Sequence, residues 1–132
     1  MVSVTASTFT NIMPEDDYLT ATIAEYIIDR AIDLLNLYGG IDEDMSNMSG
    51  AAGSMTLTVE GYERGAIIMV ARPIYYAFFK GQIGTSAGMG PLSSSDSQDL
   101  MANPEVRAMI KEAGELLAAR RADTSEIEAD VG

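Results

Sequence analysis

The sequence predicts an all-α fold, and three observations predict it. Three stretches carry apolar residues at the three-and-four spacing of a helix. Each is bounded by residues that start or stop helices. The stretch that most resembles a strand, MTLTV, is only five residues long. The expected architecture is one helical domain over residues 1–132, with main helices at about 15–38, 59–80 (kinked near Pro73) and 104–121. An extended arm (1–13) precedes this core, a long loop (81–103) interrupts it and an acidic tail (122–132) follows it.

The arm, Met1 to Asn11, alternates small, Thr/Ser and apolar residues (Val2, Val4, Phe9) without helical spacing, and reads as an extended segment that is mobile or laid on a neighbour. Pro14 followed by Glu15, Asp16 and Asp17 opens the first helix, because proline suits the first turn and carboxylates favour its positive dipole end. Gly39 and Gly40 stop it, since glycine can take the left-handed cap. Ile23, Ile27, Ala31, Leu34 and Tyr38 form its core stripe. Thr22, Glu25, Asp29, Asp33 and Asn36 form an acidic face.

The segment IDEDMSNMSGAAGS starts like a calcium loop at Asp42, Asp44 and Ser46, but its sixth position is Asn47 instead of glycine and its twelfth is Gly53 instead of glutamate. A short acidic helical turn followed by a flexible linker is expected instead. MTLTV, residues 55–59, alternates like a strand, yet Thr58 could equally cap the next helix. The sequence leaves the two open.

Val59 to Lys80 is the most apolar and aromatic run. Val59, Tyr62, Ala66, Met69, Pro73 and Tyr76 lie on one stripe, and Ile68, Ala71, Tyr75 and Phe79 on a second. A helix apolar on so many sides needs cover from more than one direction, and in a short chain part of that cover is expected from neighbouring subunits. Ile68, Arg72, Tyr75 and Phe79 are therefore candidate subunit-interface residues. Pro73 has no N–H to offer Met69, hence the expected kink. Arg64, Arg72 and Lys80 divide the run, which argues against a membrane span.

GQIGTSAGMGPLSSSDSQDLMANP then reads as a loop. It lacks the Gly-Lys-Ser/Thr ending of a phosphate cradle and the Gly-x-Gly-x-x-Gly order. Asn103, Pro104 and Glu105 open the last helix with a cap, a proline and an acid. Val106, Met109, Ile110, Ala113 and Leu117 face the core, and Arg120 and Arg121 suit its negative end. The tail ADTSEIEADVG has only Ile127 and Val131 as anchors and reads as disordered until a partner holds it, so these two are candidate partner-binding residues.

Composition narrows the function classes. Twenty Asp and Glu oppose eight Lys and Arg, a formal charge of −12, and only two of the eight are lysines. Groove-binding nucleic-acid recognition wants the reverse balance. The acidity has two readings: a well-solvated acidic protein, or, as the spread acids and scarce lysine favour, a chain from a salt-adapted host, where molar salt shortens the Debye length to about 3 Å and screens self-repulsion. No secretory signal pattern opens the chain. Without cysteine there is no thiolate site or disulfide. Without histidine, the commonest general base and metal ligand is missing. No cofactor and no metal centre are expected.

Glu25, Asp29 and Asp33, one turn apart, can be read in three ways. The plain reading is a solvated helix face. Stacked carboxylates could also hold a hard cation or raise one another's pKa. The third reading is a negative wall facing a channel.

Taken together, a PED opening to a first helix, a glycine break, a second helix VEGYERGAIIMVARPIYYAFF, a Gly/Ser/Pro loop and a third helix NPEVRAMIKEAGELLAARR resemble the head-tail connector (adaptor) proteins of tailed viruses. The resemblance covers roughly Glu15 to Arg121 and is one of pattern, without a diagnostic short motif; Arg72 and Pro73 within the aromatic end depart from it. It implies a non-enzymatic virion protein at the neck, assembled in the host cytoplasm. Such a protein forms a homo-oligomeric ring, commonly of twelve copies, beneath the portal protein and above a stopper or tail-completion protein. Genome DNA would pass through without specific binding, and no membrane is involved. The face of Glu25, Asp29 and Asp33 would then be a candidate channel lining that repels phosphates. Two other classes stay open: a small acidic helical interaction or regulatory protein of a halophile, and an enzyme built on carboxylates with Tyr62, Tyr75 or Tyr76.

Overall fold

The computed structural model describes residues 1–12, 19–76 and 100–131, with side chains described as far as Ala122. The order is β1 (Val2–Val4), α1 (Ala6–Thr10), α2 (Ala21–Tyr38), β2 (Leu57–Val59), α3 (Gly61–Ile74) and α4 (Pro104–Val131). The fold is mostly helical but not all-α. β1 and β2 form an antiparallel two-stranded sheet in the register Val2↔Val59, Ser3↔Thr58, Val4↔Leu57.

That sheet overturns the expected arm. The apolar–polar–apolar alternation of Val2, Ser3 and Val4 matches that of Leu57, Thr58 and Val59, so one face of the ribbon can be buried. Val4 is fully buried and Val59 nearly so. Immediately after it, α1 buries Ala6 and Phe9, and the Phe9 ring meets Tyr75 edge-on at 6.1 Å between centroids. The first twelve residues are thus folded on their own chain. The MTLTV ambiguity resolves as a strand, and the cap of α3 is Glu60, whose N–H donates to Glu63 Oε1 at 2.9 Å.

The helix α2 begins at Ala21, where Thr20 Oγ1 accepts from the Ile23 N–H at 3.3 Å. The expected start near residue 15 falls partly on 13–18, outside the described residues. Gly39 closes the helix in right-handed geometry, and Gly40 carries the left-handed φ of 69°. Besides the expected stripe, Ala24, Ile28, Ile32 and Leu35 are buried, which makes α2 the centre of the core; Tyr38 is 45% exposed instead.

The helix α3 packs against both α2 and α4, most extensively against α4. Ala66, Ile67, Val70, Ala71, Pro73 and Ile74 are buried within the single chain. Its own flanking helices thus supply most of the cover, while Ile68 and Met69 stay half-buried and Arg72 and Tyr76 exposed on its outer side. Pro73 stands one residue from the helix end, and the chain continues in a π-type turn at Tyr75 and Tyr76. The expected extension over 77–80, Phe79 included, and the loop over 81–99 lie outside the described residues. Leu100 is already helical and fully buried.

Asn103 caps α4 as its position predicts, its Oδ1 accepting from the N–H groups of Glu105 at 2.9 Å and Val106 at 3.1 Å. Gly114 is buried where α4 crosses the end of α2. A Cβ there would come within 2.1 Å of the Gly39 carbonyl oxygen. At its far end Arg121 bonds Glu63 Oε2 and the Glu43 carbonyl, both at 3.0 Å, and Arg120 lies 5.9 Å from the Tyr62 ring centre. These contacts bring residues 120–121 to the first turn of α3, so the two helices run antiparallel. The tail expected to be disordered continues α4 to Val131, in keeping with a run after Gly114 free of glycine and proline.

Candidate functional site

Two polar helix faces could carry function, and the structure treats them differently. The first is the acidic face of α2. Glu25 is only 2% exposed, and its two carboxylate oxygens accept from the N–H groups of Gly53 at 2.7 Å and Met55 at 2.9 Å. One turn on, Asp29 Oδ1 accepts from the Met48 N–H at 3.0 Å. The Asn47 side-chain amide reaches Asp33 Oδ1 at 3.1 Å, and Arg30 pairs with the other Asp33 oxygen. A further turn along, Asn36 exchanges two hydrogen bonds with the backbone of Met45, at 2.8 and 2.9 Å.

The stripe at positions 25, 29, 33 and 36 therefore grips the segment 45–55 and satisfies a backbone that has almost no ladder of its own. Among the described residues, the Ser49↔Thr56 bridge alone pairs it with other backbone. The segment repays the grip by burying Met45 and Met48 in the core. This segment is neither the acidic helical turn nor the flexible linker expected of it. Glu25 is likewise removed from the candidate channel lining, because its charge faces its own loop. Burial raises the Asp29 carboxyl above its ordinary value of 3.8, against the lowering influence of the Met48 N–H and the Asn47 amide; Asp33 nearby pushes it up further and Arg30 draws it down. Among the described residues, no three carboxylates converge on a point where a metal ion could be held.

The second face is the outer side of α3. It forms with α1 a groove of about 600 Å³ whose walls include Thr8, Ile12, Arg64, Ile68, Met69 and Arg72. The predicted interface set divides here. Ile68, half-buried, and Arg72, exposed, line the groove. Tyr75 is 1% exposed and spent on packing with Phe9, and Phe79 lies outside the described residues. Arg64 and Arg72, two turns apart, have no acidic partner among the described residues. Sequence reading missed Arg64 and Ile12, although the four-residue step Arg64, Ile68, Arg72 was available as a signal. Ile127 and Val131 lie in the helical backbone of α4, with side chains outside the described set.

No described helix is long and apolar enough to cross a membrane. Comparison with protein-family models, with curated proteins and with solved structures gave no match.

Proposed function

We propose that this chain is a small acidic helical interaction protein, suited to a high-salt environment, that works by docking through the α1–α3 groove and not by catalysis. The observation that carries this reading is the groove itself. In a chain where acids outnumber bases twenty to eight, it presents two arginines without acidic partners among the described residues, on either side of Ile68. A rim of charge around an apolar centre is the usual anatomy of a protein–protein contact. The lack of histidine and cysteine, and carboxylates engaged in holding a loop, support the non-catalytic side of the proposal.

Light scattering of the purified chain in molar salt, where repulsion between copies is screened, tests it. The expected result is a mass above one copy that rises with concentration and is lost in Ile68→Glu with helix content unchanged. A monomer at every concentration, indifferent to Ile68, would remove the reading.

A narrower second reading is the head-tail adaptor of a tailed virus of a halophilic host: a ring, commonly twelve-membered, between portal and stopper in the virion neck, with DNA passing through. The order of helices along the chain supports it, while the 28-residue terminal helix is longer than the short third helix the resemblance implies. Electron micrographs of the protein with the portal of the same virus should then show rings seated on it. Unbound particles of two copies in that mixture would exclude this reading and leave the broader one standing.

A further inference from the structure

We propose that the groove between α1 and α3 receives the C-terminal end of α4, residues 123–131, from a second copy of the chain. The inference rests on the docking reading above and names its occupant.

The groove side is patterned. Arg64, Ile68 and Arg72 recur at steps of four, placing a cation on each side of an apolar centre, with the charges about 12 Å apart along the helix. Gly65 lies within the same groove. An exposed glycine inside a helix is destabilising relative to alanine. Nothing among the described residues asks for it: its φ is ordinary and a Cβ there would meet no described atom within 4 Å. The space it leaves lets another segment come close to the backbone of α3.

The occupant side has the matching pattern. DTSEIEADV contains four carboxylates and no base. Asp123, Ile127 and Asp130 recur at steps of four and three, so on a helix they fall on one face, with the acids about 10 Å apart and the isoleucine between them. Acid, apolar, acid meets base, apolar, base at nearly the same pitch. Opposite charges at the rim would fix register and partner choice, and Ile127 against Ile68 would supply apolar burial.

The donor must be another copy. Arg121 is held at the first turn of α3, and α4 runs on from there as an unbroken helix for ten residues, about 15 Å. Because α4 is antiparallel to α3, that end leads away from Arg64 to Arg72 of its own chain. It could not turn back without breaking the helix.

The test uses the full chain and a fluorescent peptide of residues 119–132, read by anisotropy at moderate salt. Saturable binding is expected. The double variant R64E/R72E should weaken it by about tenfold or more, and so should D123K/D130K in the peptide. The two reversals combined should restore most of the affinity. Gly65→Leu should abolish binding with the circular dichroism spectrum unchanged, which separates a blocked groove from a misfolded chain. Binding no tighter than that of a scrambled peptide of the same composition would overturn the proposal, as would reversals that fail to compensate. Light scattering separates the two readings. A chain that associates through Ile68 but ignores both reversals refutes this occupant and keeps the docking surface; a strict monomer refutes both. Protection of Arg64 and Arg72 in a strict monomer would mean docking within one copy, and would also overturn the proposal.

Discussion

The polar stripe of α2 and the outer stripe of α3 look alike on a helical wheel, each placing polar side chains on one face at helical spacing, one turn apart on α2 and two turns apart for the arginines of α3. In the folded chain they have opposite fates. Glu25, Asp29, Asp33 and Asn36 are covered by the segment 45–55 and used up within the molecule. Arg64 and Arg72 keep their charges free of any acid among the described residues. Helical spacing tells which residues share a face. It does not tell what will lie on that face, because the answer comes from a loop with no periodicity of its own.

If the comparison is right, truncating the two stripes should affect different measurements. The largest effect belongs to Glu25→Ala, which leaves the N–H groups of Gly53 and Met55 without their acceptor in a buried site. Urea denaturation should report a loss of about 3 kcal/mol. Asn36→Ala, which removes two hydrogen bonds at the half-buried end of the stripe, should cost about 1 to 2 kcal/mol by the same measurement. On the other stripe, Gly65→Ala should act in the opposite direction and raise stability by about 0.5 to 1 kcal/mol, because no internal contact requires the glycine. A loss of stability there would mean that α3 is less open than described.

The smallest effect at neutral pH belongs to Asp29→Asn, which keeps an acceptor for the Met48 N–H and should lie within about 0.5 kcal/mol of the native chain. Its signature is in the pH dependence. Burial holds the folded Asp29 carboxyl above its ordinary value, so the folded state takes up a proton at a higher pH than the unfolded state. The native chain should therefore gain stability relative to Asp29→Asn as pH falls from above the folded value towards 3.8, with no further gain below. A native chain that loses ground over that window would show that hydrogen bonding, not burial, governs this carboxylate.

Much of the helical frame was legible. The stripe of α2, its glycine stop and the Asn103 cap of α4 all follow from local chemistry, because caps and periodicity act within a few residues. The sheet was not legible, since pairing Val2–Val4 with Leu57–Val59 joins two three-residue strands that are ambiguous when read singly. Nor was the burial of α3. An apolar run looks the same whether a neighbour or its own chain covers it, and α2 and α4 supply more cover than their single core stripes suggested. Of the candidate site, Ile68 and Arg72 were found from spacing. Glu25 was misplaced because a carboxylate on a helix face reads as solvated unless the amides that capture it are known.

The backbone contact of Gly114 with Gly39 has a consequence for the far end of α4. Two main chains touching without side chains between them act as a fixed stop, so the helix can neither slide nor roll at that level. The bearing of everything beyond is then set by counting residues from the stop. One residue inserted after Ala122 would swing the tip by about 100°, whereas seven would return it to within about 20° of its original heading and lengthen it by about 10 Å. The terminal helix is in this sense a pointer whose compass direction is written in its length.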